Sequence, residues 1–159
     1  MTTGPDITEI TLDEMTAEAA DELAERIAEI DPWRRLAIPA NRIRRLFEAG
    51  NGKEVRAIQI GNRPVGAIVV QRNWLLGPYL QHLSVLPEAQ ARGAGTRALH
   101  WLEGIARRDR QSNIWLCVSA FNGQALAFYA RHGFFQAANL PDLVRPGEDE
   151  ILMRRRLDA

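Results

Sequence analysis

The sequence has one cysteine, no net charge and no long hydrophobic run. The single Cys117 excludes an internal disulfide framework. Twenty basic residues balance twenty acidic ones, so no overall field favours nucleic acid or an anionic membrane. No apolar run reaches the length that spans a bilayer, and the first residues lack the basic and apolar regions of a signal peptide. We therefore expect a cytoplasmic protein with neither a nucleic-acid nor a membrane partner.

The chain does have enough apolar material for a core. It contains 159 residues, of which 46% are hydrophobic and 25% charged. These values predict one globular domain over residues 1–159.

The stretch Gln90–Thr96 joins an apolar strand, predicted over Tyr79–Leu86, to an amphipathic helix through two glycines, Gly93 and Gly95. Glycine lets a ligand approach the main chain, and the free N–H groups and dipole of a first helical turn attract anions. Arg92 adds a full positive charge. A glycine-rich turn before a helix is more often only a turn, so by itself this pattern is a weak indication of a phosphate site.

Two other phosphate motifs are excluded here. The run Gly93–Ala98 has the glycine spacing of a dinucleotide fingerprint, but Pro87–Arg92 separates it from its strand, and the next strand, Asn113–Ser119, offers no acid for a ribose. A P-loop would need Lys-Ser or Lys-Thr after the glycines. The remaining pattern, Gln-x-x-Gly-x-Gly after Leu83–Pro87, resembles the acyl-CoA signature of the GNAT superfamily of N-acyltransferases.

A second motif, Asn122–Phe134, resembles the GNAT pattern Asn-x-x-Ala-x-x-Phe-Tyr-x-x-x-Gly-Phe at every specified position. Asn122 suits a helix N-cap and Gly133 a C-cap. Read alone, Phe128 and Tyr129 are typical core aromatics. The glycine motif at the expected distance upstream favours the functional interpretation.

Hydrophobic periodicity predicts the other elements. A first strand begins at Ile7, and the last strand covers Ile151–Met153. If side chains alternated strictly along the Tyr79 strand, Leu80 would lie on the opposite side from Leu83 and Val85. One extra residue in the strand would produce this mismatch, so the pattern predicts a bulge. The remaining predictions are a helix over Thr16–Ile30, a helix with Ile43, Leu46 and Phe47 inward, strands over Val55–Ile60, Pro64–Val70 and Ile114–Ser119, and a two-proline loop over Asn139–Asp149.

The resemblance implies an α/β (α+β) GNAT fold. Its central sheet is mixed, mostly antiparallel, of about six to seven strands, and splayed between strands four and five, with about four helices. In such folds a loop like Asn139–Asp149 often closes over the acceptor, and the bulged strand leaves main-chain groups of Leu83 and Val85 for the pantetheine arm.

The resemblance also implies acetyl-CoA as cosubstrate, no metal, and direct attack of an amine on the thioester in a ternary complex. Tyr129 would protonate the departing thiolate, a main-chain N–H near Val85 would stabilise the oxyanion, and amides of Arg92–Arg97 would bind phosphate. The residues expected to contact the cosubstrate are Leu83, Ser84, Val85, Gln90, Ala91, Arg92, Gly93, Ala94, Gly95, Thr96, Arg97, Asn122 and Tyr129.

The general base is where the chain departs from the family pattern. Many N-terminal-amine acetyltransferases of this type have a glutamate where this chain has Cys117, and others have a fourth-strand carboxylate where it has Gln81 and His82. We predict that His82 takes the acceptor's proton, since imidazole titrates in the useful range. A hydrogen-bonded strand histidine, a water chain, or an acceptor needing no base are the alternatives.

Two other functions stay open from the sequence. A non-catalytic acyl-CoA-binding or sensor module would keep the fold without turnover, although Tyr129 argues against it. A purely structural domain would leave both motifs without purpose. The acceptor, a small-molecule or protein amine, is not specified by the sequence, and a homodimer stays open.

Overall fold

The computed structural model describes residues 9–158. The predicted strand start at Ile7 and Thr8, and the residues considered for a signal peptide, lie outside this range. The elements are β1 Ile10–Glu14, α1 Ala17–Ile27, α2 Ala40–Leu46, β2 Lys53–Ile60, β3 Arg63–Gln71, β4 Tyr79–Val85, α3 Ala94–Arg108, β5 Asn113–Ser119, α4 Gly123–Arg131, β6 Phe135–Arg145 and β7 Glu148–Arg156.

The seven strands form one mixed sheet in the order β1-β2-β3-β4-β5-β7-β6. β4 and β5 are parallel, whereas β1 with β2, β5 with β7, and β6 with β7 are antiparallel. The β4–β5 ladder pairs Tyr79 with Trp115 and Leu80 with Leu116, and ends there although β4 runs to Val85. This mixed seven-stranded sheet, together with the four α-helices of residues 9–158, confirms the predicted fold. None of these helices is long and apolar enough to span a membrane.

The chain divides into two compact units. The first comprises the residues up to Val70 together with His82–Leu102, and the second comprises Gln71–Gln81 together with the residues from Glu103 onward. The expectation of one domain over residues 1–159 stays a prediction.

The first unit has its core beneath α1 and α2. Thr16 caps α1, its Oγ accepting a hydrogen bond from the Ala19 amide at 3.1 Å. This residue ends the extended segment because its hydroxyl satisfies a free amide of the first turn. The fully buried residues of the core include Leu23, Ile27, Ile43, Val69 and Leu86.

The helix after the glycine turn is amphipathic, as predicted. Ala98, Leu99, Leu102, Ile105 and Ala106 are all buried. These positions recur every three or four residues and so lie along one side of α3. The stripe fixes the rotation of α3 about its own axis.

The prediction of a loop over Asn139–Asp149 is wrong. β6 continues to Arg145, turns at Gly147 and pairs back with β7. Pro141 is accommodated because β6 ends the sheet and its ladder is irregular between Leu140 and Arg145. Proline content therefore indicated an edge strand rather than a loop.

Candidate active site

The glycine turn has the backbone geometry of an anion-binding helix start. Gly93 has φ 85°, and α3 begins at the next residue, Ala94. Arg97 donates the first backward hydrogen bond of the helix, to Gly93 O at 2.9 Å. A helix start of this kind places main-chain N–H groups at the positive end of the helix dipole.

Open space surrounds Gly93. A Cβ built there would meet nothing within 4 Å, and the exposed Arg92 and Arg97 flank the turn. The turn therefore places two cations beside a helix N-terminus, with room at Gly93. These features fit a pyrophosphate.

Buried neighbours and a side-chain hydrogen bond hold the turn in place. Leu86 donates to Val65 O at 2.7 Å, and both Leu86 and Ala89 are buried. Gln90 Nε2 donates to Val85 O at 3.0 Å. The side chain of Gln90 thus closes the turn onto the end of β4, and it already occupies the Val85 carbonyl.

Gly66 allows β3 to approach β4 closely at this point. A Cβ at Gly66 would lie 2.1 Å from Ser84 O and 3.2 Å from Val85 Cα. No other residue type fits such a contact without moving the backbone. The main chain of Ser84 and Val85 is therefore held tightly on the β3 side.

The buried side chains of β4 are Leu80, His82 and Ser84, whereas Leu83 and Val85 are half-buried. Buried positions thus alternate without interruption. Leu83 and Val85 belong to the other set, so their mismatch with Leu80 requires no extra residue, and a bulge in this strand stays a prediction. His82 and Ser84, two polar residues, belong to the buried set.

His82 is enclosed by aromatic rings. Its ring centroid lies 5.1 Å from that of Trp33 and 5.5 Å from that of Phe47, and its Nε2 lies 2.8 Å from Ser84 Oγ. Burial lowers the pKa of His82 to about 3. The argument that this imidazole titrates near neutral pH therefore does not hold, and its role as base stays a prediction without that support.

Helix α4 begins at the predicted N-cap, Asn122, whereas its C-cap is His132, one residue before the predicted Gly133. Asn122 Oδ1 accepts from the Ala125 amide at 3.2 Å, and Gly133, with φ 88°, follows the last turn. Asn122 therefore has a capping role that needs no ligand. Phe134 donates to Tyr129 O at 3.1 Å, which completes the C-terminal cap.

Tyr129 combines a buried ring with a reachable hydroxyl. The residue is 9% exposed and packs against Phe128 and Phe134. No residue in the described part of the chain hydrogen-bonds its hydroxyl, yet every fully buried side-chain N or O there has a partner. The hydroxyl must therefore reach solvent. Burial raises the pKa of Tyr129, so the group stays protonated at neutral pH.

Sequence reasoning missed a polar cluster on β5 and β7. Ser119 Oγ donates to Glu150 Oε1 at 2.7 Å, and Tyr79 and Cys117 lie beside this pair. Burial raises the pKa of the Cys117 thiol, which is unsuited to nucleophilic attack. The signal was a glutamate next to the apolar run Ile151–Met153, but only the register of β5 with β7 places it opposite Ser119.

The predicted site residues divide between the two units. His82, Leu83, Ser84, Val85 and the turn Gln90–Arg97 belong to the first unit. Asn122 and Tyr129 belong to the second.

The model of the acetyltransferase (GNAT) family matches residues 8–134. The chain therefore belongs to the GNAT acetyltransferase family, as both sequence motifs predicted.

Solved structures share the fold. Ard1 from Thermoplasma volcanium has a TM-score of 0.79 at 16% identity, covering 95% of this chain and 99% of that chain. The ribosomal-protein-S18-alanine N-acetyltransferase from Escherichia coli has a TM-score of 0.75 at 21% identity, with 94% and 95% covered. A Bacillus anthracis protein, assigned provisionally as a streptothricin acetyltransferase, was solved with acetyl coenzyme A; its TM-score is 0.63 at 21% identity, with 67% and 64% covered.

Proposed function

We propose that this protein is an N-acetyltransferase that moves the acetyl group of acetyl-CoA to a primary amine by direct attack. Acetyl-CoA supplies an activated thioester carbon. The observation that carries the proposal is the glycine turn at the start of α3, with room at Gly93 and two exposed arginines beside a helix N-terminus. Membership of the GNAT family supports the same reaction.

In this proposal the turn Gln90–Arg97 binds the pyrophosphate of the cosubstrate. The amides of Ala94, Gly95 and Thr96 donate to phosphate oxygens, while Arg92 and Arg97 neutralise charge. Gln90 also closes the turn, because its Nε2 donates a hydrogen bond to Val85 O.

Further contacts of the cosubstrate are proposed for individual residues of β4 and, separately, of α4. A main-chain N–H near Val85 stabilises the oxyanion of the tetrahedral intermediate. Leu83 and Ser84 extend the main-chain contacts along β4, and Asn122 adds a contact from the N-cap of α4. Tyr129 donates its phenolic proton to the departing thiolate; its raised pKa and reachable hydroxyl suit a general acid.

The acceptor is a primary amine whose identity the fold does not select. The solved relatives are named for acceptors as different as a ribosomal-protein alanine and streptothricin. Small amines, aminoglycosides, amino acids and protein termini or lysines are therefore all included in the test.

The test is release of CoA thiol from acetyl-CoA across a panel of these amines. Acceptor-dependent release supports the proposal. Tight binding of acetyl-CoA without release with any amine would contradict it and indicate a sensor module, and absence of binding would contradict both functions.

A further inference from the structure

Glu150 is a buried carboxylate that the proposed reaction has not yet used. It is 4% exposed, and its Oε1 is held by the Ser119 hydroxyl at 2.7 Å. Within residues 9–158 no lysine, arginine or histidine forms an ion pair with it. A buried carboxylate without a cation is costly, and such groups cluster at functional sites.

The second carboxylate oxygen of Glu150, Oε2, is accessible to solvent. No described residue donates a hydrogen bond to Oε2, yet every fully buried side-chain N or O of the described chain has a partner. Oε2 must therefore reach solvent, although the residue as a whole is almost enclosed. One oxygen is fixed by a hydroxyl, and the other is accessible to solvent.

No positively charged side chain of the neighbouring strands pairs with this carboxylate. Tyr79 on β4 and Cys117 on β5 are its titratable neighbours, and Glu148 precedes it on the same side of β7. Leu140, its partner on β6, is apolar. Burial raises the pKa of Glu150 and the Glu148 charge raises it further, while the Ser119 hydrogen bond opposes both.

We propose that Glu150 holds the ammonium group of the acceptor and takes its proton, with Ser119 orienting the carboxylate. This inference rests on the proposed acetyl transfer. One N–H bond of the ammonium breaks and its proton goes to Oε2. The nitrogen lone pair then attacks the thioester carbon, the C–S bond breaks, and the thiolate takes a proton from Tyr129. The phenolate regains that proton from the acylated nitrogen through solvent.

The geometry favours Glu150 over His82 for this role. The ring of His82 is packed between Trp33 and Phe47, and its pKa of about 3 makes it a poor proton acceptor at neutral pH. A general base works best when its pKa lies nearer the operating pH. Glu150 is shifted in that direction, and it also carries the negative charge that an ammonium group requires.

The test compares Glu150→Gln with Asp149→Asn in the thiol-release assay. Glutamine preserves the shape and the Ser119 contact, whereas Asp149 lies on the opposite side of β7 and bonds Asn139 at 3.1 Å. We expect Glu150→Gln to lower kcat/KM about 10²-fold or more at pH 7. The deficit should shrink as the pH approaches the pKa of the amine, and Asp149→Asn should match the parent. Calorimetry should show unchanged acetyl-CoA binding in both variants.

The Glu148→Gln variant provides a second readout, which does not depend on whether the Glu150→Gln variant folds. Removing the Glu148 charge should lower the pKa of Glu150, so the acidic limb of kcat/KM should move to lower pH. A parental rate and pH profile in Glu150→Gln, or an unmoved limb in Glu148→Gln, would overturn the assignment. Failure of the parent with every amine would instead overturn the acetyl-transfer proposal itself.

Discussion

The hydroxyl of Ser84 lies 2.8 Å from Nε2 of His82, and both side chains are buried on the same side of β4. The Ala67 amide on β3 also donates to this hydroxyl, at 3.2 Å. The pair therefore connects two strands beneath α2. The pair of His82 and Ser84 is stable only while the imidazole is neutral. A charged ring packed between Trp33 and Phe47 would lose the water that stabilises its charge.

This pair predicts a pH-dependent stability. The pKa of His82 is about 3 in the folded protein and ordinarily 6.5, so the unfolded chain binds the proton more tightly. The stability that depends on neutral His82 is therefore fully present above about pH 6.5. It is lost as the pH drops towards 3, by up to about 1.4 kcal/mol per pH unit. Urea unfolding of the parent and His82→Gln at pH 7 and 4.5 measures this loss.

We expect His82→Gln to lose less stability than the parent between these pH values. His100→Gln, at an exposed position on α3, is the matched control and should behave like the parent. Equal losses in the parent and His82→Gln would contradict the buried-imidazole interpretation.

The glycine turn predicts a separation of binding from folding at Gly95. Gly95→Val should abolish acetyl-CoA binding, because its side chain would stand at the amides proposed to bind phosphate. Gly104→Val is the control, since a Cβ at that position of α3 meets nothing within 4 Å. Calorimetry checks the affinity and thermal melting checks the fold. Parental affinity in Gly95→Val would show that the phosphate binds elsewhere.

Gly93 is a poorer position for this test than Gly95. Its φ of 85° strains any residue with a Cβ, even though the space around it is open. A substitution there would change the backbone of the turn as well as the site.

Tyr129→Phe should keep acetyl-CoA affinity and slow transfer about 10²- to 10⁴-fold, as for loss of a positioned general acid. The ring packing against Phe128 and Phe134 is retained, so stability should change little. Phe128→Leu is a control for the aromatic packing alone. An unchanged turnover number in Tyr129→Phe would leave Tyr129 a core aromatic.

The sequence was sufficient where local chemistry determines structure. The cap at Asn122, the turn at Gly93 and the amphipathic pattern of α3 each depend on residues a few positions apart. Local pattern and tertiary packing agreed at these points. The family motifs lie within the same segments.

The sequence was insufficient where partners come from distant strands. The pairing of Glu150 with Ser119 depends on the register between β5 and β7. The burial of His82 depends on which alternate set of β4 faces inward, and apolar residues occur in both sets. The predicted base was assigned by residue type, whereas packing determines its pKa.

The most direct test of the proposed acetyl transfer is the stoichiometry of thiol and amide. After reaction with an amine found active in the panel, thiol titration gives the CoA released and mass spectrometry gives the acetylated amine. We predict equal amounts of the two, with no acetylated protein, because the amine attacks the thioester directly. Thiol release without acetylated amine, or an acetyl group retained on the protein, would contradict acetyl transfer by direct attack.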